Sequence, residues 1–178
     1  MLALALLATA ALNGQWMSDC LAMGKDGRHG TIVRLTIART RIDAVAQTYA
    51  HPTCDVPTIE TRLTARLDRV AVSGSQLDAA LIIRDVTLTP EHPDVVTAWN
   101  ENSQAKSCGT QVWRLNTAQS VAGDTCTPGL RFPPCGARLV VRASRNNETL
   151  RIPLPFADTA AAGHQAAITF RRAALSND

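Results

Sequence analysis

From Thr31 onward, apolar and polar side chains alternate along this chain with a period of two. In the run from Val33 to Ile37, for example, apolar residues are separated by Arg34 and Thr36. A period of two places successive side chains on opposite faces of a β-strand, so each such run predicts a strand with one buried face. The other alternating runs are Leu63–Leu67, Leu77–Ile83, Leu139–Val140, Leu150–Phe156 and Ile168–Arg171.

Residues that favour turns separate these runs. They are Gly24 with Asp26-Gly27, Ser73-Gly74-Ser75, Gly123-Asp124 and Asn146-Asn147. Such pairs mark the connections between antiparallel strands. Pro153 and Pro155 cannot donate ladder hydrogen bonds, so the run that contains them is predicted to be an edge strand or a bulged strand.

One segment only is predicted to be a helix of more than one turn. Thr89 is interpreted as its cap and Pro90 as its first helical position, and Val95, Ala98 and Trp99 recur at helical spacing. The helix is expected to end between residues 103 and 107. Because helices do not alternate with the strands, we predict an all-β fold, an antiparallel barrel of about eight strands with one short helix. A barrel of this size is filled by its own side chains or holds one small ligand, and the sequence does not choose between these.

The segment from Met1 to Leu12 is apolar, carries no charge and ends in small residues, Ala8-Thr9-Ala10-Ala11. It is shorter than the roughly 20 residues of a membrane-spanning helix, and its end is typical of an export signal. We interpret residues 1–14 as an export signal peptide, with a buried N-terminal helix as the alternative, and residues 15–178 as a single barrel domain. A periplasmic or secreted protein without a transmembrane segment is therefore expected.

The five cysteines do not show the paired spacing of a zinc site, and disulfides explain them better. A bond between Cys20 and Cys54 would close a loop worth roughly 4 kcal/mol on the chain-entropy model. Among the other three, we favour a Cys108–Cys126 bond with Cys135 unpaired. The competing pairing joins Cys126 to Cys135 across a proline-rich loop, residues 127–134.

Charge and composition argue against a nucleic-acid surface. The net charge is only +3, and the basic residues, nearly all arginine, are spread over almost every segment. Aromatic residues make up 4% of the chain, too few for a stacking platform. Arginines on the solvent face of strands explain the pattern, and no nucleic-acid partner is expected.

No motif of the sequence points to catalysis. The histidines, His29, His51, His92 and His164, lie in predicted loops or at element ends without cysteine or carboxylate at ligand spacing. No serine lies in a Gly-x-Ser-x-Gly setting, and no carboxylate pair has separable acid and base roles. We expect a protein that is not an enzyme and has no cofactor and no metal.

Residues in two parts of the chain resemble a known family. These are Gly14, Trp16, Ser18 and Cys20 followed by Tyr49, Cys54 and Pro57, and then Leu88-Thr89-Pro90, Asn100, Cys108-Gly109, Trp113, Gly123 and Cys126. They resemble the lipocalin-like domain of the adenomatosis polyposis coli down-regulated family, including its bacterial single-domain relatives. The resemblance implies a lipocalin-like (calycin-type) barrel, and the animal members of the family bind lipids and signalling ligands. Cys135 and the proline-rich loop depart from the animal pattern.

The leading functional hypothesis is a binding protein for a small apolar ligand or a partner protein. The candidate ligand-binding residues are Trp16, Tyr49, Leu35, Ile37, Leu81 and Ile83. For Trp16 the competing interpretation is a structural role in closing one end of the barrel, and for Tyr49 a buried ring with a satisfied hydroxyl. The alternative function is a periplasmic inhibitor of a protease or of lysozyme. Its working part would be an exposed loop or the N-terminal strand, and the proline-rich loop is the most rigid candidate.

Overall fold

The structure of the protein is a computed structural model. It describes residues 12–101, 108–109, 112–127, 130–146, 148–153 and 167–173. The strands are β1 (Gly14–Ser18), β2 (Leu21–Met23), β3 (His29–Ala38), β4 (Arg41–Tyr49), β5 (Pro57–Ser73), β6 (Gln76–Pro90), β7 (Gln119–Ser120), β8 (Thr125–Thr127), β9 (Leu130–Arg131), β10 (Arg138–Arg145), β11 (Thr149–Pro153) and β12 (Ala167–Arg172). The one α-helix of the described residues, α1, spans Pro93–Glu101, and Lys25–Gly27 form a 3-10 turn. The predicted helix end at residues 103–107, Leu154 to Phe156, and His164 lie outside the described residues.

The strands form a closed, antiparallel, lipocalin-like barrel, as the alternation predicts. Eight strands follow one another around it in the order β1, β12, β11, β10, β6, β5, β4 and β3, and β3 pairs with β1 to close the ring. Strand β2 extends the ladder along β3, β7 pairs with β6, and β8 and β9 form a separate hairpin. The predicted fold class is therefore confirmed.

The expected helix start was wrong by three residues. Thr89 and Pro90 do not cap the helix but end β6, where they pair with Glu60 and Ile59 of β5. Pro90 is almost completely buried, and the backbone of the next residue, Glu91, donates to Thr58 of the same ladder. Proline cannot donate a hydrogen bond to a neighbouring strand. It is tolerated here because it is the last residue of β6, where no such bond is needed. The helix begins instead at a second proline, Pro93.

Two disulfides are present, and they are the predicted ones. Cys20 and Cys54 join the connection after β1 to the β4–β5 loop, with 6.1 Å between their Cα atoms. Cys108 is bonded to Cys126, and Cys135 is an exposed free thiol, so the competing Cys126–Cys135 pairing is not formed. Gly30 of β3 lies against the first bond, where an added Cβ would lie 2.5 Å from the sulfur of Cys54. Only a residue without a side chain fits at this position.

Candidate functional site

The barrel has two distinct ends. The β3–β4 turn, the start of β1 and the end of β12 lie at one end, which we call the closed end. There Trp16 is 1% exposed, its Nε1 donates to the carbonyl of Leu12 at 2.9 Å, and the guanidinium of Arg172 lies over its ring. The β4–β5 loop and α1, which follows β6, lie at the opposite end, which we call the mouth. Trp16 therefore lies where the closing interpretation expects it.

The closed-end half of the interior is filled. Ile37, Ile42, Ala65 and Ile83 form one cross-strand row on β3, β4, β5 and β6, and all four are buried. Ile83 is 0% exposed, so no water-sized space touches its side chain. A row packed in this way leaves no room for a ligand at that height of the barrel.

The candidate residues from the sequence therefore lie in this filled half. Leu35, Ile37, Leu81 and Ile83 all belong to one hydrophobic core with Trp16, and none of the five is more than 8% exposed. The strand alternation correctly places them inside the barrel. Whether they contact a ligand remains a prediction. In this structure their side chains pack within the hydrophobic core.

Nearer the mouth, several inward side chains on β3, β4 and β5 are only partly buried. The second row joins Leu35 to Ala44 and Leu63, and the third joins Val33 to Ala46 and Thr61. All of these except Leu35 retain partial exposure, whereas Val86 and Leu88, which continue the two rows on β6, are buried. We call the partly buried set, Val33, Ala44, Ala46, Thr61 and Leu63, the inner recess.

Strand β4 carries alanine at both inward positions of the inner recess. Each alanine faces a larger residue on the neighbouring strands, Leu35 and Leu63 across Ala44, and Val33 and Thr61 across Ala46. An alanine side chain ends at Cβ, so it takes up less of the interior than a Val or Leu side chain would. The lining is mainly apolar, with the hydroxyl of Thr61 as its polar group. An apolar concavity with few polar groups is the usual form of a small-molecule site.

Sequence reasoning missed Ala44, Ala46 and Thr61 as lining residues. The run from Ile42 to Thr48 alternates in size rather than in polarity, so its inward positions do not stand out by hydrophobicity. Only the cross-strand register identifies them, because it pairs Ala44 with Leu35 and Ala46 with Val33.

Tyr49 lies apart from the other candidates. The β3–β4 register pairs it with Gly30 and puts it on the face of Val45 and Gln47, opposite to the inward face of Ile42. Its side chain is half-buried on the outside of the barrel near the mouth. A rim contact for Tyr49 remains a prediction, but the structure does not bring it together with the interior candidates.

The segment after α1 is held close to the barrel. Trp99 of the helix and Trp113 meet edge to face, with 4.6 Å between ring centroids. Asn100 binds the backbone of Trp113 in both directions, accepting from its N at 2.9 Å and donating to its O at 3.0 Å. The indole Nε1 of Trp113 is buried and has no hydrogen-bond partner. These contacts fix Trp113 in the core, where it is 2% exposed.

The Asp55 carboxyl near the mouth has a perturbed pKa. His51 Nδ1 lies 2.8 Å from Asp55 Oδ1 in the β4–β5 loop, and its hydrogen bond holds the pKa of the Asp55 carboxyl below its usual value. Both side chains are more than half exposed. Within the described ranges, no three His, Cys, Asp or Glu side chains are grouped closely enough to hold a metal ion.

Comparison with known proteins gives no assignment, because no protein-family model matches the sequence and no curated protein is significantly similar to it. No helix among the described residues is long and apolar enough to cross a bilayer.

Proposed function

We propose that this protein is an exported, non-enzymatic binding protein that holds a small apolar molecule in the inner recess. The observation that supports this most directly is the contrast in burial along the inward face. Side chains of the row that contains Ile37 are fully packed, whereas Val33, Ala44 and Leu63, on the same inward face, are only partly buried. Apolar surface that remains accessible in a concave interior favours an apolar ligand.

The geometry limits the size of the ligand. From Thr31 to Leu35, β3 spans five residues, and the four steps between them cover a length of about 14 Å at the rise of an antiparallel strand. The filled row at Ile37 sets the floor of this space. A ligand of this length enters by the mouth and stops above Ile37, so it contacts Val33 and Ala46 rather than Ile83.

Export is part of the proposal. Two disulfides form readily in an oxidising compartment such as the periplasm or the cell exterior, and rarely persist in the cytosol. The apolar N-terminal segment, of which residues 1–11 lie outside the described part, supports the same compartment. The resemblance to the lipocalin-like domains of the adenomatosis polyposis coli down-regulated family points to lipid binding as the function to test first.

The test uses a fluorescent fatty acid and two matched alanine variants. Ala46→Phe fills the inner recess, whereas Ala71→Phe adds the same ring at an exposed outward position of β5. We expect the wild type and Ala71→Phe to bind the probe and Ala46→Phe to lose binding. Absence of binding by the folded wild type, or equal binding by all three proteins, would contradict the proposal.

Inhibition of a protease or of lysozyme is the second candidate. It is supported by the hairpin of β8 and β9, whose base is tied to Cys108 through Cys126 and whose Phe132 N donates to the carbonyl of Asp124 at 2.9 Å. The described parts of the loop, residues 127 and 130–134, are held by these contacts, which lowers the entropic cost of binding an enzyme. Assays against a panel of peptidases and lysozymes test it, and no inhibition at micromolar concentration would count against it.

A further inference from the structure

A depression of about 380 Å³ lies on the outer wall of the barrel, near the closed end. Its lining consists of Thr40, Arg41, Thr64, Ala65, Arg66 and Arg84. It lies on the opposite side of the sheet from the inner recess, since Arg41 and Arg66 alternate with the inward residues Ile42 and Ala65. A ligand bound there is therefore separate from one held inside the barrel.

The strand register brings three arginines to this depression. Arg41 of β4 and Arg66 of β5 are direct cross-strand partners, although like charges placed opposite each other are unfavourable. A β-bulge then inserts Arg84 into β6, because Thr64 pairs with Asp85 and Ala65 with Ile83, which leaves Arg84 without a partner on β5. Side chains of three arginines thus line one concavity.

Carboxylates neutralise this group only weakly. Within the described chain, Arg41 and Arg84 form no ion pair or side-chain hydrogen bond. Arg66 Nη2 lies 3.3 Å from Asp68 Oδ1, and the same carboxylate also contacts Arg138 at 3.8 Å. Both distances exceed those of a strong charge-assisted bond, and the side chains are substantially exposed, so these contacts contribute little.

Two other carboxylates lie on the neighbouring strands. Asp85 Oδ1 accepts from Ser120 Oγ at 2.6 Å and from the backbone N of Val86 at 2.9 Å. Asp43 Oδ2 lies 3.5 Å from Arg62 Nη1, and its Oδ1 is buried without a hydrogen-bond partner. The positive charge available to a ligand therefore comes mainly from Arg41 and Arg84.

We propose that this depression binds a phosphate-class oxyanion, either free phosphate or the phosphate of an ester. The planar guanidinium group donates paired hydrogen bonds that match the oxygens of phosphate, and three of them around one cavity match a doubly charged group. The hydroxyls of Thr40 and Thr64 add two donors at the edge of the site.

Two probes test the proposal at constant ionic strength, inorganic phosphate by titration calorimetry and vesicles containing phosphatidylglycerol by co-sedimentation. The test variant is Arg84→Gln, a substitution at an exposed bulge position. The matched control is Arg171→Gln, which removes the same charge from the exposed face of β12, where Arg171 contacts Asp19 at 3.3 Å and lies outside the depression. We expect Arg84→Gln to weaken binding about fivefold or more, and Arg171→Gln to leave the affinity within about twofold.

Binding of phosphate, of the vesicles or of both, with selective loss in Arg84→Gln, supports the proposal and identifies the source of the phosphate group. Failure of the wild type to bind either probe overturns it, as does equal weakening by both variants, because that would reflect net charge alone. The wild-type titrations decide the matter even if a variant fails to fold. None of these outcomes depends on the fatty-acid probe of the inner recess.

Discussion

The guanidinium carbon of Arg172, in the last strand, lies 4.8 Å from the ring centroid of Trp16, in the first. The two residues are also cross-strand partners in the ladder that links β12 to β1. The contact therefore joins the first and last strands of the barrel and covers the indole at the closed end. A cation over an aromatic face adds about 0.5–1 kcal/mol at an exposed site, so the buried ring itself contributes most of the stability here.

Replacement of Trp16 by alanine is predicted to lower the free energy of unfolding by about 3–5 kcal/mol, because it leaves a cavity beneath Arg172. Gln15→Ala, at the neighbouring exposed position, is the control and is expected to change stability by less than about 0.5 kcal/mol. Urea unfolding measures both. Similar small effects for the two variants would show that Trp16 does not close the barrel.

Residues before β1 are predicted to stabilise the folded domain. Leu12 is 3% exposed and its carbonyl accepts from Trp16 Nε1, while the side chain of Asn13 accepts from the backbone N of Arg39 at 2.9 Å. A chain that begins at Gln15 loses both contacts, whereas one that begins at Ala11 keeps them. We expect the shorter chain to be less stable by about 2 kcal/mol or more.

Mass spectrometry of the exported protein gives an independent result for the same region. The geometry favours signal cleavage before Leu12, and the Ala8-Thr9-Ala10 sequence offers small residues at a suitable place. Equal stability of the two chains, together with a mature start at Gln15, would contradict this prediction and support the boundary at residue 14.

Gly30→Ala is predicted to destabilise the protein by about 1–3 kcal/mol through overpacking. An added Cβ would lie 2.5 Å from Cys54 Sγ and 2.6 Å from the carbonyl oxygen of His51. Thermal unfolding of Gly30→Ala in the native and in the Cys20→Ser/Cys54→Ser backgrounds forms a cycle. The penalty is expected to be smaller without the sulfurs, and an unchanged penalty would assign the clash to the His51 backbone alone.

The hydrogen bond between His51 and Asp55 predicts a small dependence of stability on acid pH. It lowers the pKa of Asp55 in the folded state, so its contribution is complete above the unfolded value of about 3.9 and is lost as the pH falls through the lower folded value. His51→Ala is expected to raise the pKa of Asp55 toward the ordinary value. NMR titration of the Asp55 carboxyl carbon measures the change, and an unchanged pKa would show that another group causes the shift.

Strand alternation predicts which side chains face inward but not how far each is buried. Val33 and Leu35 are neighbours in one alternating run, yet only Leu35 is buried. The difference depends on what lies across the ladder and toward the mouth, which a single strand does not encode. The barrel and its inward face were therefore predictable from sequence, whereas the inner recess required the register that places Ala44 and Ala46.

A local sequence motif gave a wrong helix start where strand pairing determines the structure. Thr89-Pro90 has the chemistry of a helix start, but pairing with Glu60 and Ile59 extends β6 through both residues. The bulge that inserts Arg84 likewise has no sequence signal in this chain, since it depends on the registers of β5 and β6 together. The Cys20–Cys54 bond was predicted correctly, whereas its contact with Gly30 depends on the register of β3 and β4.

Chemical-shift mapping with the fatty-acid probe tests the central claim most directly. On titration of the isotopically labelled protein, we predict that backbone amide signals of Val33, Ala44, Ala46 and Leu63 move together and saturate. Those of Ile42 and Ile83, in the filled half, should move little. A response confined to outward residues such as Val45 and Tyr49, or no response at saturating probe, would contradict a ligand site inside the barrel.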